Sequence, residues 1–77
     1  MKPEIEAFRK AAPFIPFEIE LVGGRVLQVP HPEFVYVPPG KGLYFVVTHR
    51  DGVVETLNAI LVLSVRPIRK TTRRKAG

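Results

Sequence analysis

At Phe17 the hydrophobic pattern of the chain changes to strict alternation, which is the period of a β-strand. Phe17, Ile19 and Leu21 share one face of this segment, and two glutamates occupy the other. Because one face is apolar and the other is charged, the segment predicts a half-buried strand of an antiparallel sheet. A three-residue loop, Val22–Gly24, pairs Ile19 with Leu27, whereas a two-residue turn sets Leu27 beside the glutamates. We therefore predict the three-residue loop.

The segments on either side of Gly40 predict a second hairpin. Pairing them about that glycine sets Val35 opposite Phe45 on one face and Tyr36 opposite Tyr44 on the other. This second face is as apolar as the first, so we expect the helix, another subunit or stacked bases to cover it. The residues that we assign to self-association are Phe34, Tyr36, Tyr44 and Val46.

Two further strands complete the β-rich body. Asp51 and Gly52 form a hairpin signal that leads into residues 53–57, with a loop of either two or three residues. Residues 59–65 are almost continuously apolar, which predicts a last strand that is buried on both faces and ends before Pro67. The expected core residues are Phe17, Ile19, Leu27, Phe45 and Leu57.

Residues 3–12 predict one short helix. Pro3 suits the first helical position, and Pro13 disfavours helical geometry at the residue before it. A helix of this length is unstable alone, so it must dock through its apolar stripe, which consists of Ile5, Phe8 and Ala12.

A short helix followed by five antiparallel strands is the layout of a small barrel of the SH3-like or Sm-like type, and residues 1–67 are predicted to form this single domain. The alternative is an α+β fold in which the helix packs on an open antiparallel sheet. The chain has 77 residues and no cysteine, so its stability must come from a compact core, from subunit association or from both. We expect a homodimer or a higher oligomer.

The charge of the chain is concentrated at its C-terminus. Residues 1–65 carry six Lys/Arg and seven Asp/Glu, whereas residues 66–77 carry six Lys/Arg and no acid. We predict that residues 68–77 are a disordered basic tail that binds the phosphates of RNA or DNA with low specificity. A merely solubilising terminus, an acidic protein partner and an anionic membrane surface are the alternatives, the last disfavoured because no hydrophobic segment accompanies the charge. The predicted nucleic-acid ligands are Arg66, Arg69, Lys70, Arg73, Arg74 and Lys75.

Residues 13–34 carry a distinctive proline-rich pattern. They read PFIPFEIEL, then GR at residues 24 and 25, then VPHPEF at residues 29–34. This pattern, PFxPFxIxLxxGRxxxVxHPEF, resembles that of a family of short, uncharacterised bacterial proteins, and the resemblance covers residues 8–65. The resemblance implies no activity, and the basic tail lies outside it.

The sequence predicts neither an enzyme nor a metal or cofactor site. His31 and Glu33 lie two residues apart in a proline-bracketed corner, and His49 belongs to a different turn, which matches no zinc spacing. Gly40 and Gly42 flank a lysine, but a phosphate-binding loop needs Ser or Thr at a helix start. The absence of cysteine and of a long apolar segment leads us to expect a cytoplasmic protein. The expected function is that of a non-enzymatic interaction module that binds nucleic acid through its tail, or else a structural or protein-interaction domain.

Overall fold

The computed structural model describes residues 1–68, which form one helix and six strands; residues 69–77 of the predicted tail lie outside this range. Two short 3₁₀ turns, at Pro32–Phe34 and Ala59–Leu61, separate consecutive strands. The elements are α1 (Lys2–Lys10), β1 (Phe17–Leu21), β2 (Val26–Val29), β3 (Val35–Tyr36), β4 (Tyr44–Thr48), β5 (Val54–Asn58) and β6 (Val62–Pro67).

The strands form two antiparallel sheets, with the order β2-β1-β6 in sheet 1 and β3-β4-β5 in sheet 2. Within residues 1–68 no ladder joins the two sheets into a closed barrel. The predicted SH3-like or Sm-like barrel of five strands is therefore corrected to six strands in two open sheets, which is closer to the α+β alternative. The segments named as strands from the sequence are two hairpins and two further strands, and they correspond to β1–β6, so the total of five assigned to the barrel was one too few. The corner at Pro32–Phe34 adopts a 3₁₀ turn and leaves only two residues in β3.

The first hairpin has the predicted register. Ile19 pairs with Leu27, and Phe17 pairs with Val29. The loop is closed by a hydrogen bond from the Leu21 N–H to the Arg25 carbonyl (2.8 Å). Both glycines of the loop have φ near +95°, a backbone conformation that side chains other than glycine rarely adopt.

The second hairpin has a different register from the predicted one. Val35 pairs with Val47 and Tyr36 pairs with Val46, so Tyr36 does not face Tyr44. The shift is two residues, and a shift of two leaves every side chain on its predicted face. Pro38 lies opposite Tyr44 in this register and has no N–H to donate, so the ladder ends at Tyr36.

The remaining β segments settle one open prediction and correct another. The β4–β5 loop has three residues, since the His49 N–H donates to the Val53 carbonyl (2.8 Å). The predicted last strand is wrong at its start, because Ala59–Leu61 forms a 3₁₀ turn. The prediction that this strand is buried on both faces is also wrong, because Leu63 of β6 is exposed.

A single apolar core fills the space between the two sheets. All five expected core residues are buried in it, together with Ile5 of α1. The Phe8 ring of α1 lies 5.2 Å from the Phe17 ring, so the helix covers the end of the core where β1 begins. Ala12 lies beyond the end of α1 and is exposed, so it does not join the apolar stripe. Among residues 1–68, no helix has both the length and the apolar character needed to cross a membrane.

Candidate functional site

The outward side of sheet 2 presents an uncharged and largely apolar surface. Side chains alternate between the two sides of a strand, so every second residue of β3, β4 and β5 points away from the core. Tyr36 is 58% exposed and Val54 is 62% exposed, and Val46, which pairs with Tyr36, is half-buried. We call this surface the outer face; it consists of Tyr36, Tyr44, Val46, Thr48, Val54, Thr56 and Asn58.

Local contacts hold Tyr44 and the loop that precedes it in place. The Tyr44 ring packs against Gly42, where an added Cβ would lie 3.2 Å from a ring carbon. The Lys2 ammonium at the start of α1 donates to the carbonyls of Gly40 and Gly42. The helix therefore anchors the loop that leads from Tyr36 to Tyr44.

Three of the four residues predicted for self-association share the outer face. Tyr36, Tyr44 and Val46 lie on adjacent strands of the sheet. Phe34 does not join them, because it belongs to the 3₁₀ turn, is half-buried and packs against the core. The sequence pattern missed Val54, which lies beside Thr48 on the same face.

The outward side of sheet 1 has the opposite character. Glu18 and Glu20 of β1 point outward there, and Arg66 of β6 bridges them at 2.7 Å and 2.8 Å. Hydrogen bonding to the Arg66 guanidinium holds the pKa of Glu20 below its ordinary value, and the same pair raises the pKa of Arg66. This side is ion-paired, whereas the outer face of sheet 2 carries no charge.

The predicted nucleic-acid ligands divide into two groups. Arg66 lies on β6, where its guanidinium is hydrogen-bonded to two carboxylates and to the Ser64 hydroxyl. The other five lie outside the described residues: Arg69, Lys70, Arg73, Arg74 and Lys75.

A cluster of charged side chains lies at the end of the core opposite the helix. The Arg25 guanidinium donates two hydrogen bonds to the Glu55 carboxylate, at 2.7 Å and 2.9 Å. The His49 Nε2 lies 2.9 Å from the same carboxylate. Hydrogen bonds from Arg25 and then His49 lower the pKa of Glu55 to about 2. A carboxylate this weakly basic is a poor proton acceptor near neutral pH, so the cluster is not suited to acid–base chemistry. Its hydrogen bonds instead connect the β1–β2 turn of sheet 1 to β5 of sheet 2.

Sequence reasoning did not find this ion pair. Arg25 lies in the β1–β2 turn of sheet 1, and Glu55 lies thirty residues further along the chain, in β5 of sheet 2. One signal was available, because Glu55 pairs with the buried Val47 and so occupies a core-facing position of its strand. A charged residue at such a position requires a partner of opposite charge.

Within residues 1–68 no cluster of metal ligands is formed, and the recess beside the end of β6 is apolar. His31 and Glu33 are both exposed, and the described residues contain no cluster of three or more potential metal ligands. An apolar recess of about 260 Å³ lies between the helix and the end of β6. No polar side chain converges on it to orient a ligand. The recess is lined by Ala7, Phe8, Ala11, Ile15 and Pro67.

No family model, curated protein or solved structure matches this chain.

Proposed function

We propose that this domain is a non-enzymatic protein-interaction module that associates with copies of itself through the outer face of sheet 2. The observation that supports the proposal is the difference between the two outward sheet surfaces. Sheet 1 presents ion pairs to its surroundings, whereas the outer face presents two tyrosines and two valines without a charge. Contiguous exposed apolar surface of this kind commonly marks an interaction site on a soluble protein.

A second copy is a suitable partner for this face on chemical grounds. The seven side chains of the outer face are uncharged, so none of them meets a like charge across the contact. Charged side chains of α1 border this face beside Tyr36, and they are Lys2, Glu6, Arg9 and Lys10. Tyrosine is enriched at protein interfaces because its ring is buried while its hydroxyl finds a polar partner. The expected contact is isologous, with the same patch on both chains.

The test is the double variant Tyr36→Lys with Val46→Lys. Burying two unpaired ammonium groups per chain is strongly unfavourable, so this variant should lose the contact while its core remains intact. Sedimentation should show half the mass of the wild-type assembly. Val26→Lys with Gln28→Lys is the matched control, because it adds the same charge to exposed positions on the outward side of sheet 1.

The control should keep the wild-type mass. A wild-type chain that sediments at 8.7 kDa even at millimolar concentration would contradict self-association. Equal loss of mass in both double variants would show that added charge, and not the outer face, controls assembly.

A second proposed function is nucleic-acid binding by the tail. Residues 1–68 carry seven Lys/Arg and seven Asp/Glu, so the net charge of +5 comes entirely from residues 69–77. A neutral body that continues into such a segment is suited to non-specific contact with phosphates. Arg66 is a weaker candidate than the other five ligands, because a phosphate would have to compete with Glu18 and Glu20 for its guanidinium.

A further inference from the structure

Strand β5 is an open edge of sheet 2, since β4 is its one neighbour among the described strands. Two hydrogen bonds fix the direction of its backbone groups: the His49 N–H donates to Val53, and the Ala59 N–H donates to Leu43. Hydrogen-bonded pairs alternate along an antiparallel ladder. The odd-numbered residues of β5 therefore bond to β4, and the even-numbered residues present their N–H and C=O groups to the open edge. These residues are Val54, Thr56 and Asn58.

This edge lacks the features that protect sheet edges from pairing, which include proline, lysine, bulges and very short length. Strand β3 has two residues and is followed by two prolines. Strand β6 contains a register irregularity and ends in Arg66 and Pro67. Strand β5 reads VETLN and is regular over its five residues. Its one charged side chain, Glu55, faces the core side and is neutralised by Arg25.

We propose that β5 pairs antiparallel with β5 of a second copy of this chain, across a two-fold axis at Thr56. Pairing through the even-numbered residues with full overlap of the five-residue strand gives one register, in which Val54 faces Asn58 and Thr56 faces Thr56 of the other copy. No like charges meet directly in this register, because Glu55 faces the apolar Leu57 of the other chain. A second copy is therefore complementary to the edge in length, in hydrogen bonding and in charge.

This contact goes beyond the proposed function, because it uses the backbone of β5 and not the side chains of Tyr36 and Val46. The edge contact joins two three-stranded sheets into one sheet of six strands. Where the outer-face contact forms as well, two such sheets stack and the assembly contains four chains, an arrangement with the common symmetry of three perpendicular two-fold axes.

Single cysteines test the register, because the chain has no cysteine of its own. In the proposed register the two Thr56 Cα atoms are about 5.5 Å apart, which is within the range of a disulfide. The two Val54 Cα atoms are about 14 Å apart, because four residues of a strand separate them along its axis and the strands themselves lie about 5 Å apart. Under mild oxidation, Thr56→Cys should form a covalent dimer and Val54→Cys, the matched control, should not. Equal cross-linking of both variants, or cross-linking of neither, would overturn the proposed register.

Thr56→Pro tests the edge itself. It removes an N–H that points to the open edge, so the β4–β5 ladder is retained, whereas Thr56→Ala keeps the N–H and serves as the control. By sedimentation, Thr56→Pro should halve the wild-type mass and Thr56→Ala should not change it. An unchanged mass for Thr56→Pro would overturn the proposal. A monomeric wild type would also overturn it, and the edge would then be free to pair with a strand of another protein.

The two contacts fail in distinguishable ways. If only the edge contact exists, Thr56→Pro is monomeric and the Tyr36→Lys, Val46→Lys variant keeps the wild-type mass. If only the outer-face contact exists, the reverse is observed. If Thr56→Pro does not fold, the cysteine pair still decides the register.

Discussion

Glu55 shows how one side chain can hold two sheets in position. Its carboxylate lies on the core-facing side of β5 and accepts two hydrogen bonds from Arg25 of the β1–β2 turn. A carboxylate at a partly buried position is costly unless it is paired, and the bidentate guanidinium supplies both geometry and charge. At the other end of β1, the Phe8 and Phe14 rings pack on Phe17. The core is therefore closed by aromatic packing at one end and by an ion pair at the other.

The lowered pKa of Glu55 predicts a loss of stability in acid. Its pKa is about 2 in the folded chain against an ordinary value of 4.5, so the folded state favours the ionised form. The stabilisation is complete above pH 4.5 and is lost as the pH falls toward 2. Glu55→Gln should be less stable than wild type at pH 7, and this difference should shrink at pH 2.5. Urea unfolding at both pH values measures it, and a difference that does not change with pH would contradict the assignment.

Phe45 is one of two fully buried phenylalanines among the described residues, so its truncation should be costly. Its ring is fully buried between the sheets, and the chain has few other large core side chains. Phe45→Ala should lower the free energy of unfolding by about 3–5 kcal/mol, through lost apolar burial and the cavity left behind. Ile60→Ala is the control, because the Ile60 side chain is exposed and lies outside both proposed contacts. Urea denaturation compares the two variants, and a loss below about 1 kcal/mol for Phe45→Ala would mean that the ring is not in the core.

At the scale of the elements, the sequence predicted strands best where polar residues alternate with apolar ones. The glutamates of β1 fix which side is buried, so the register of Ile19 with Leu27 followed directly. The second hairpin lacks such a marker, because both of its sides are apolar. A shift of two residues keeps Val35 and Phe45 on the same face, so the hydrophobic pattern could not distinguish the two registers.

The 3₁₀ turn at Ala59–Leu61 was not predicted from the sequence for a similar reason. A continuous apolar run is compatible with a buried strand, but the Asn58 side chain accepts a hydrogen bond from the Ile60 N–H and starts a 3₁₀ turn. That turn leaves Ile60 and Leu61 exposed. For the candidate site, the pattern placed Tyr36, Tyr44 and Val46 on one face. It missed Val54 because the length of the loop at Asp51 and Gly52 was left open. Without that length, the sequence does not show which residues of β5 point away from the core.

At the scale of the whole molecule, the excess positive charge lies at one end of the chain. Residues 1–68 are neutral overall, and several of their ionised groups pair with one another, whereas residues 69–77 add five positive charges. Self-association would bring the basic segments of several chains into one assembly and would leave the fold of residues 1–68 unchanged. An assembly held together by uncharged surfaces would thereby present several basic segments to one polyanion, which raises the overall strength of binding.

Truncation tests the role of the basic tail. The cut belongs after Ile68, because Pro67 pairs with Phe17 and the Ile68 N–H donates to the Pro16 carbonyl. A chain of residues 1–68 should keep the wild-type thermal transition and lose retention on heparin and on DNA. For the full chain, the logarithm of the DNA affinity should fall with the logarithm of salt concentration with a slope no steeper than about −4.5 per chain, since five cations neutralise at most five phosphates. The matched control replaces the five basic residues by glutamine at full length; if it still binds DNA as wild type does, the tail charge is not the determinant.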